Sequence, residues 1–247
     1  NIVFSNKNTV FKISDWKEAI LHSSVYDSWI FKYSTTLGAS TINFSIDECF
    51  NNFPLSVSSD KYEQLQKIGE TYHEHRRQLM LGMQLGLTKT YNLFHSNAIT
   101  AQAVNEKDKQ VAALQKHLEK TPNTISFNEA IQGILKLREL HVQMDEAVLS
   151  AYGWGNDELK ITNYEDNSEA VIRNSQLKID LRHDFYEVDY LPENDRIRFT
   201  IHPDARKEVL KRLLELNHKI HEEEVQAGVW DKKKTTSKKA NIVDEPN

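Results

Sequence analysis

The sequence predicts an α+β protein, predominantly helical, with a small β-containing N-terminal unit, long central helices, and a C-terminal β-hairpin followed by a helix. Three observations carry this. Apolar residues recur at helical spacing over long stretches, most regularly at Leu137, Leu140, Met144, Val148 and Ala151. Short extended patterns are confined to the two ends of the chain. A length of 247 residues suffices for a substantial core in one or two domains.

Val3 and Phe4, then residues 9–13, read as short strands around the polar turn Ser5-Asn6-Lys7-Asn8. Ser14 is placed to cap one helix running through Trp16, Ala19, Ile20, Ser23 and Ser24 to Trp29. Residues 35–40, with Gly38 among them, read as a turn, and Ile42 with Phe44 as a brief strand. Ser45 can cap a short helix before Asn51, and Phe53-Pro54 ends the unit. Residues 56–60 form a polar joint. A long helix follows on Tyr62, Leu65, Ile68, Tyr72, Leu79 and Met83, with Gly82 and Gly86 weakening its end or allowing close packing. Residues 87–96 continue it.

Residues 101–120 are polar and read as a solvated helix or mobile insertion. Ser126 and Glu129 make a capping box for a helix that carries the apolar stripe above and ends in Tyr152-Gly153-Trp154-Gly155. An irregular acidic region to about residue 175 precedes two strands, residues 181–191 and 196–201, joined at Pro192-Glu193-Asn194-Asp195. Pro203 suits the first turn of a last helix built on Val209, Leu210, Leu213, Leu214, Leu216 and Ile220, and Gly228 suits its stop. Residues 231–247 read as a disordered charged tail.

The net charge of −5 argues against a freestanding, non-specific nucleic-acid binder, while local basic surfaces remain available. The single Cys49 cannot form an intramolecular disulfide, which fits a reducing, cytoplasmic location. No stretch reaches the ~18 consecutive apolar residues of a membrane span, and no membrane partner is expected. The chain begins at Asn1 without methionine, which suggests a fragment or processed piece.

Most catalytic patterns are absent: no glycine-rich phosphate loop, no GxSxG elbow and no HExxH helix occurs. His73 and His75 lie two apart and diverge on a helix. His218, His221 and Glu222 share a helical face, which fits an exposed polar face better than a metal site. Cys49, between Glu48 and Phe50, reads as a buried thiol.

Binding patterns are richer. Arg76 and Arg77, then Lys89, Asn92 and His95 with the ring of Tyr91, gather hydrogen-bond donors suited to phosphates and base edges. Lys32, Tyr33, Ser34 and Thr35 form a second donor-rich turn before Gly38. Ion pairs to Glu70 and Glu74 on an ordinary helix surface are the structural alternative for the arginines. Arg138, His141 and Asp145 sit three and four residues apart, so they share one face beside the apolar stripe.

Four blocks in order carry a resemblance. They are LHSSVYDSW at residues 21–29 with DECFNNFP at 47–54, TYHEHRRQLMLGMQLGLTKTYNLFH at 71–95, the helix at 134–154, and DFYEVDYLPENDRIRFTIHPDARKEVLKRLLELN at 184–217. Together they resemble the C-terminal region of large adenine-N6-specific DNA methyltransferases of the fused restriction–modification (type IIG-like) class, including phage-defence relatives. The resemblance misses only residues 101–120 and the tail. It implies the end of a target-recognition unit at residues 1–57, a helical unit at 58–160, and a hairpin with closing helix at 161–230.

That family binds S-adenosylmethionine at a glycine-containing loop and holds the flipped adenine with an Asn/Asp-Pro-Pro-Tyr/Phe motif. Neither occurs here, and Asn52-Phe53-Pro54-Leu55 lacks the second proline and the stacking aromatic. The resemblance therefore implies no catalytic residue and no cofactor in this chain, with S-adenosylmethionine serving the complete enzyme. The implied partners are double-stranded DNA and an upstream methyltransferase domain or subunit. The implied DNA contacts are the Lys32–Thr35 group and Arg76, Arg77, Lys89, Asn92 and His95. Arg138, His141, Asp145 and Trp154 are expected to brace the region. A non-catalytic protein-interaction scaffold, or the remnant of a broken gene, is the alternative.

Overall fold

Ser23, which the apolar spacing places inside one continuous helix, instead divides it. In a computed structural model describing residues 15–37, 41–155, 178–189 and 191–229, α1 (Lys17–His22) ends where Ser23 turns extended, with ψ 158°. The Ser23 hydroxyl then accepts from the Tyr26 N–H and starts α2 (Ser24–Tyr33). A serine satisfies the first free amides of a helix better than it serves in the interior, so the Ser-Ser pair sets an elbow.

Lys32 and Tyr33 belong to the last turn of α2, not to a loop, and Thr35 opens β1 (Thr35–Leu37) rather than a turn. Strand β1 pairs antiparallel with β2 (Thr41–Asn43), Thr35 opposite Asn43. A single wide turn, Ile46–Asn51, follows with Ser45 accepting from the Glu48 N–H, and Cys49 within it is a buried free thiol.

The centre is helical. Helix α3 (Tyr62–Met83) runs against α6 (Phe127–Ala151) in the most extensive helix pairing among the described residues. Left-handed Gln84 (φ 51°), lying between the two glycines, separates α3 from α4 (Leu87–Phe94). The segment expected to be a solvated helix or a mobile insertion does hold a helix, α5 (Lys109–Lys120), but an amphipathic one packed on its apolar side. Asp108 accepts from the Gln110 and Val111 amides, and Val111, Leu114 and Leu118 are buried at i, i+3, i+7. Three well-spaced apolar residues were enough to dock a helix whose average composition is polar.

The capping box of Ser126 and Glu129 is formed at the start of α6. Its end is a Schellman stop: Gly153 takes φ 73°, its N–H donates to Ser150 O, and the Trp154 N–H reaches Leu149 O at 2.8 Å. Tyr152 stacks on Trp154 and donates to Pro54 O, so the aromatic end ties α6 to the N-terminal segment.

Strands β3 (Asp184–Glu187) and β4 (Ile197–Thr200) form the expected hairpin, shorter than the sequence pattern, with Asp184 opposite Thr200. Helix α7 (Pro203–Gln226) starts at Pro203 with His202 as cap. Gly228 at φ 70° closes it with the same Schellman pattern, Gly228 N–H to Val225 O and Val229 N–H to Glu224 O. Of its predicted apolar set, Val209 and Leu213 are buried while Leu214 is exposed.

One cluster of buried side chains includes residues from Ala19 to Leu213, so the α-helices and both flanking segments share an apolar core. No helix among the described residues is long and apolar enough to cross a membrane. The expected strands before residue 14, the Ser14 cap, the acidic stretch at 156–177 and the charged tail lie outside the described residues.

Candidate functional site

The polar stripe of α6 faces inward. Arg138 is 5% exposed, and its guanidinium donates to the carbonyls of Phe94 (2.7 Å), Leu93 (3.1 Å), Ser96 (2.9 Å) and Ile99. These carbonyls lie at the end of α4 and in the following turn, those of Leu93 and Ser96 also accepting backbone N–H bonds, and a fixed cation there matches the negative end of a helix. The same guanidinium lies over the rings of Phe185 (4.9 Å) and Phe199 (5.3 Å) from the hairpin. Burial lowers its pKa to about 10, which leaves it charged at neutral pH.

Asp145, fully buried, holds three elements together. Its Oδ1 accepts from the Ser24 N–H at 2.7 Å, an amide freed by the elbow at the start of α2. Its Oδ2 accepts from His183 Nε2 at 2.7 Å, and His141 Nε2 stands 3.6 Å away. Burial pushes the carboxyl upward, but His141, His183 and Ser24 outweigh it and hold the pKa below the ordinary carboxylate value.

Ser24, His141 and Asp145 contain the residue types of a hydrolytic triad without its geometry. His141 Nε2 faces both the Ser24 hydroxyl (3.0 Å) and Asp145, whereas a relay needs one ring nitrogen for each partner. Ser24 is also 4% exposed, with its amide bonded to Asp145 and its hydroxyl to His141. The arrangement orders helices rather than activating a nucleophile.

Beside this knot, a cavity of about 420 Å³ opens between the α1–α2 elbow, α4, α6 and the hairpin. His22, His95, His141 and Asp27 line it with Tyr91, Phe94, Phe199 and Arg198. Burial, reinforced by Arg76, lowers His22 to about 4; burial, reinforced by Arg198, lowers His95 to about 3. Burial also raises Asp27 to about 6, against the pull of Arg206. Perturbed groups of this kind concentrate where a site is shaped for a ligand or a reaction.

The expected DNA-contacting residues are dispersed. Arg76 donates to Tyr91 Oη (3.2 Å) and lies over the Tyr72 ring, while His95 packs edge-on against Phe94 and lines the cavity. Arg77 is exposed and forms a two-pronged pair with Glu74, both bonds 2.8 Å. Lys89 and Asn92 are exposed along a shallow groove toward α5. Lys32 is exposed at the end of α2, Tyr33 packs on Trp29, the Ser34 N–H returns to Ile30 O, and Thr35 accepts from Asn43. Trp154 lies under Arg212 at the end of α6.

His218, His221 and Glu222 are exposed, and among the described residues no group of three or more His, Cys, Asp or Glu is arranged to hold a metal. Sequence reasoning missed Ser24, Asp27 and His183 as site residues. The Ser23-Ser24 doublet inside an apolar-periodic run was the one available sign of the elbow.

The chain matches no protein-family model, no curated protein and no solved structure.

Proposed function

We propose that this chain is the DNA target-recognition and clamping portion of a site-specific adenine-N6 DNA methyltransferase, with S-adenosylmethionine-dependent methyl transfer performed by a domain outside this sequence. The observation that supports the reading is where the resembling blocks meet. Ser24 comes from the first block, Phe94 from the second, Arg138, His141 and Asp145 from the third, and Phe185 and Phe199 from the fourth. All are joined through the buried contacts around Arg138 and Asp145. Segments that resemble one family in order, and also interlock, behave as one positioning unit. The charged groups at its centre are occupied by internal partners, which suits holding rather than chemistry.

Of the expected contact residues, Lys32 and Lys89 are exposed cations, and Arg77 is exposed with a surface pair to Glu74 that a phosphate would have to displace. The test compares adenine methylation of a cognate duplex by this chain alone and by a product extended upstream through the coding sequence, using radiolabelled S-adenosylmethionine. The extended product is expected to methylate and the chain alone to be inactive. Replacing Lys32, Arg77 and Lys89 by alanine should weaken duplex binding and flatten its salt dependence by about one unit of slope per lost contact. Methylation by the chain alone, or full site-specific activity in the triple variant, would overturn the proposal.

A further inference from the structure

We propose that the groove between the end of α2, the wide turn and the last turns of α7 is the docking site of this chain's own lysine-rich segment, residues 230–239, folded back from the end of α7. The inference stands apart from the methyltransferase reading and rests on the shape of the groove, its charge, and the point at which the chain leaves it.

The groove is an open trough of about 1040 Å³, larger than the cavity beside the Asp145 knot. Tyr33, Leu55, Leu214 and Ile220 give it apolar surface, and Leu214 is 37% exposed there. Asn217 donates to Asn52 O at 2.7 Å and fixes α7 to the opposite bank. The charge is of one sign. Glu48 on the wide turn and Glu223 and Glu224 on α7 line the groove, and none of its lining residues is a lysine or an arginine. Glu48 and Glu223 are exposed, and Lys219 approaches Glu223 only to 4.0 Å.

A fitting occupant brings several positive charges on stems that can lie along apolar surface. Lysine does both, since its alkyl stem packs while its ammonium reaches the rim. Residues 230–239 carry five lysines, Lys232, Lys233, Lys234, Lys238 and Lys239, against the single Asp231. They also begin where the groove ends. The Val229 N–H donates to Glu224 O, so the chain leaves α7 beside a groove residue, and Gly228 at φ 70° turns it off the helix axis. From Leu214 to the end of α7 at Gln226 the helix rises about 18 Å, whereas ten extended residues span about 33 Å. The segment is therefore long enough to return along the whole groove. Surface ion pairs are weak one at a time, but a short tether holds the lysines at a local concentration on the order of millimolar. A DNA duplex would bring phosphates to carboxylates of the same sign, and a second copy would bring the same lysines without the tether.

The experiment uses the full chain, as an equal mixture of unlabelled and heavy-nitrogen-labelled protein, treated with a carbodiimide that joins a lysine to a carboxylate only where the two touch. Glu48 is the decisive acceptor, because it is remote from the segment in sequence while Glu223 and Glu224 almost adjoin it. Peptide mass spectrometry is expected to find a lysine between Lys232 and Lys239 joined to Glu48 within one chain. The yield should fall about fivefold or more between about 50 mM and about 500 mM salt, as screening shortens the reach of the charges. Glu223→Gln should lower the same yield. In NMR spectra of the full chain, the amides of residues 232–239 are expected to shift in the double variant Glu48→Gln, Glu223→Gln, whose altered side chains are exposed and leave the core untouched. The proposal is overturned if no lysine of the segment reaches Glu48, if the joined peptides pair the two isotopes freely and so come from two copies, or if the amides ignore the double variant. Amides that respond to an added duplex but not to the double variant would overturn it too, and would assign the segment to DNA.

Discussion

Burial acts in the same way on two kinds of group at the cavity, and the pH consequences are opposite. Each loses hydration when charged, so His95 falls to about 3 and His22 to about 4, while Asp27 rises to about 6. The unfolded histidines titrate near ~6.5. Below that pH the unfolded chain takes up protons that the native imidazoles refuse, so their stabilisation is complete above the unfolded value and is lost as pH falls toward 4 and 3. Asp27 has the reverse sign. Its native carboxyl takes a proton near 6 while the unfolded one waits until ~3.9, so its contribution is present at low pH and lost as pH rises through 6. The buried pair of histidine shifts exceeds the single carboxyl shift, and net stability is expected to fall between pH 7 and pH 4.5. Urea denaturation across that range checks it: His95→Phe should flatten the decline, and Asp27→Asn should raise stability at pH 7 while steepening the loss on acidification. A wild-type stability that rises toward pH 4.5 would contradict the assignment.

Helix crossings here depend on glycine at close approaches. A Cβ on Gly69 of α3 would lie 3.1 Å from the Ala19 amide nitrogen and 3.3 Å from Ala19 Cβ, so α1 rests directly on that backbone. Gly86, the N-cap of α4, has nothing within 4 Å of the same position. Gly69→Leu is therefore expected to destabilise by about 1–3 kcal/mol through overpacking. Gly86→Ser should be neutral or slightly stabilising, since serine caps at least as well as glycine. Thermal melts of the two variants decide between this and a generic glycine effect, under which both would move alike. The elements that were legible share a trait: their signals are local. Ser126 with Glu129, Pro203 and Gly228 each act within one helical turn, and each took its expected role. The packing of α5 and the elbow at Ser23 were missed because both are completed by surfaces contributed from elsewhere in the chain.

For the molecule as a whole, the same division explains how much of the site could be read. The spacing of Arg138, His141 and Asp145 is a property of one helix, and their common face was visible in the sequence. Their partners were not: Ser24 lies 121 residues from Asp145, and His183 lies 38 residues away. Neither carries a local mark of that pairing. The cavity is further still from legibility, because it exists only between the elbow, two helices and the hairpin. Arg76 and Arg77 are adjacent in sequence and read as one group. The fold sends Arg76 to Tyr91 and leaves Arg77 with Glu74 at the surface.

The elbow also sets an order of events during folding. The apolar spacing runs unbroken from α1 into α2, and the break that Ser23 caps is held from outside by an amide-to-carboxylate bond spanning 121 residues. A contact of that span carries a loop-closure cost that is recovered only after α6 exists to receive it. The N-terminal segment should therefore remain a single fraying helix through the rate-limiting step and bend afterwards. Ser23→Ala, costing about 1 kcal/mol through the lost cap, is expected to accelerate unfolding and leave the refolding rate nearly unchanged in stopped-flow experiments. If refolding slows by the full amount instead, the bend forms with the nucleus, and the first helices are among the earliest parts of the protein rather than the last.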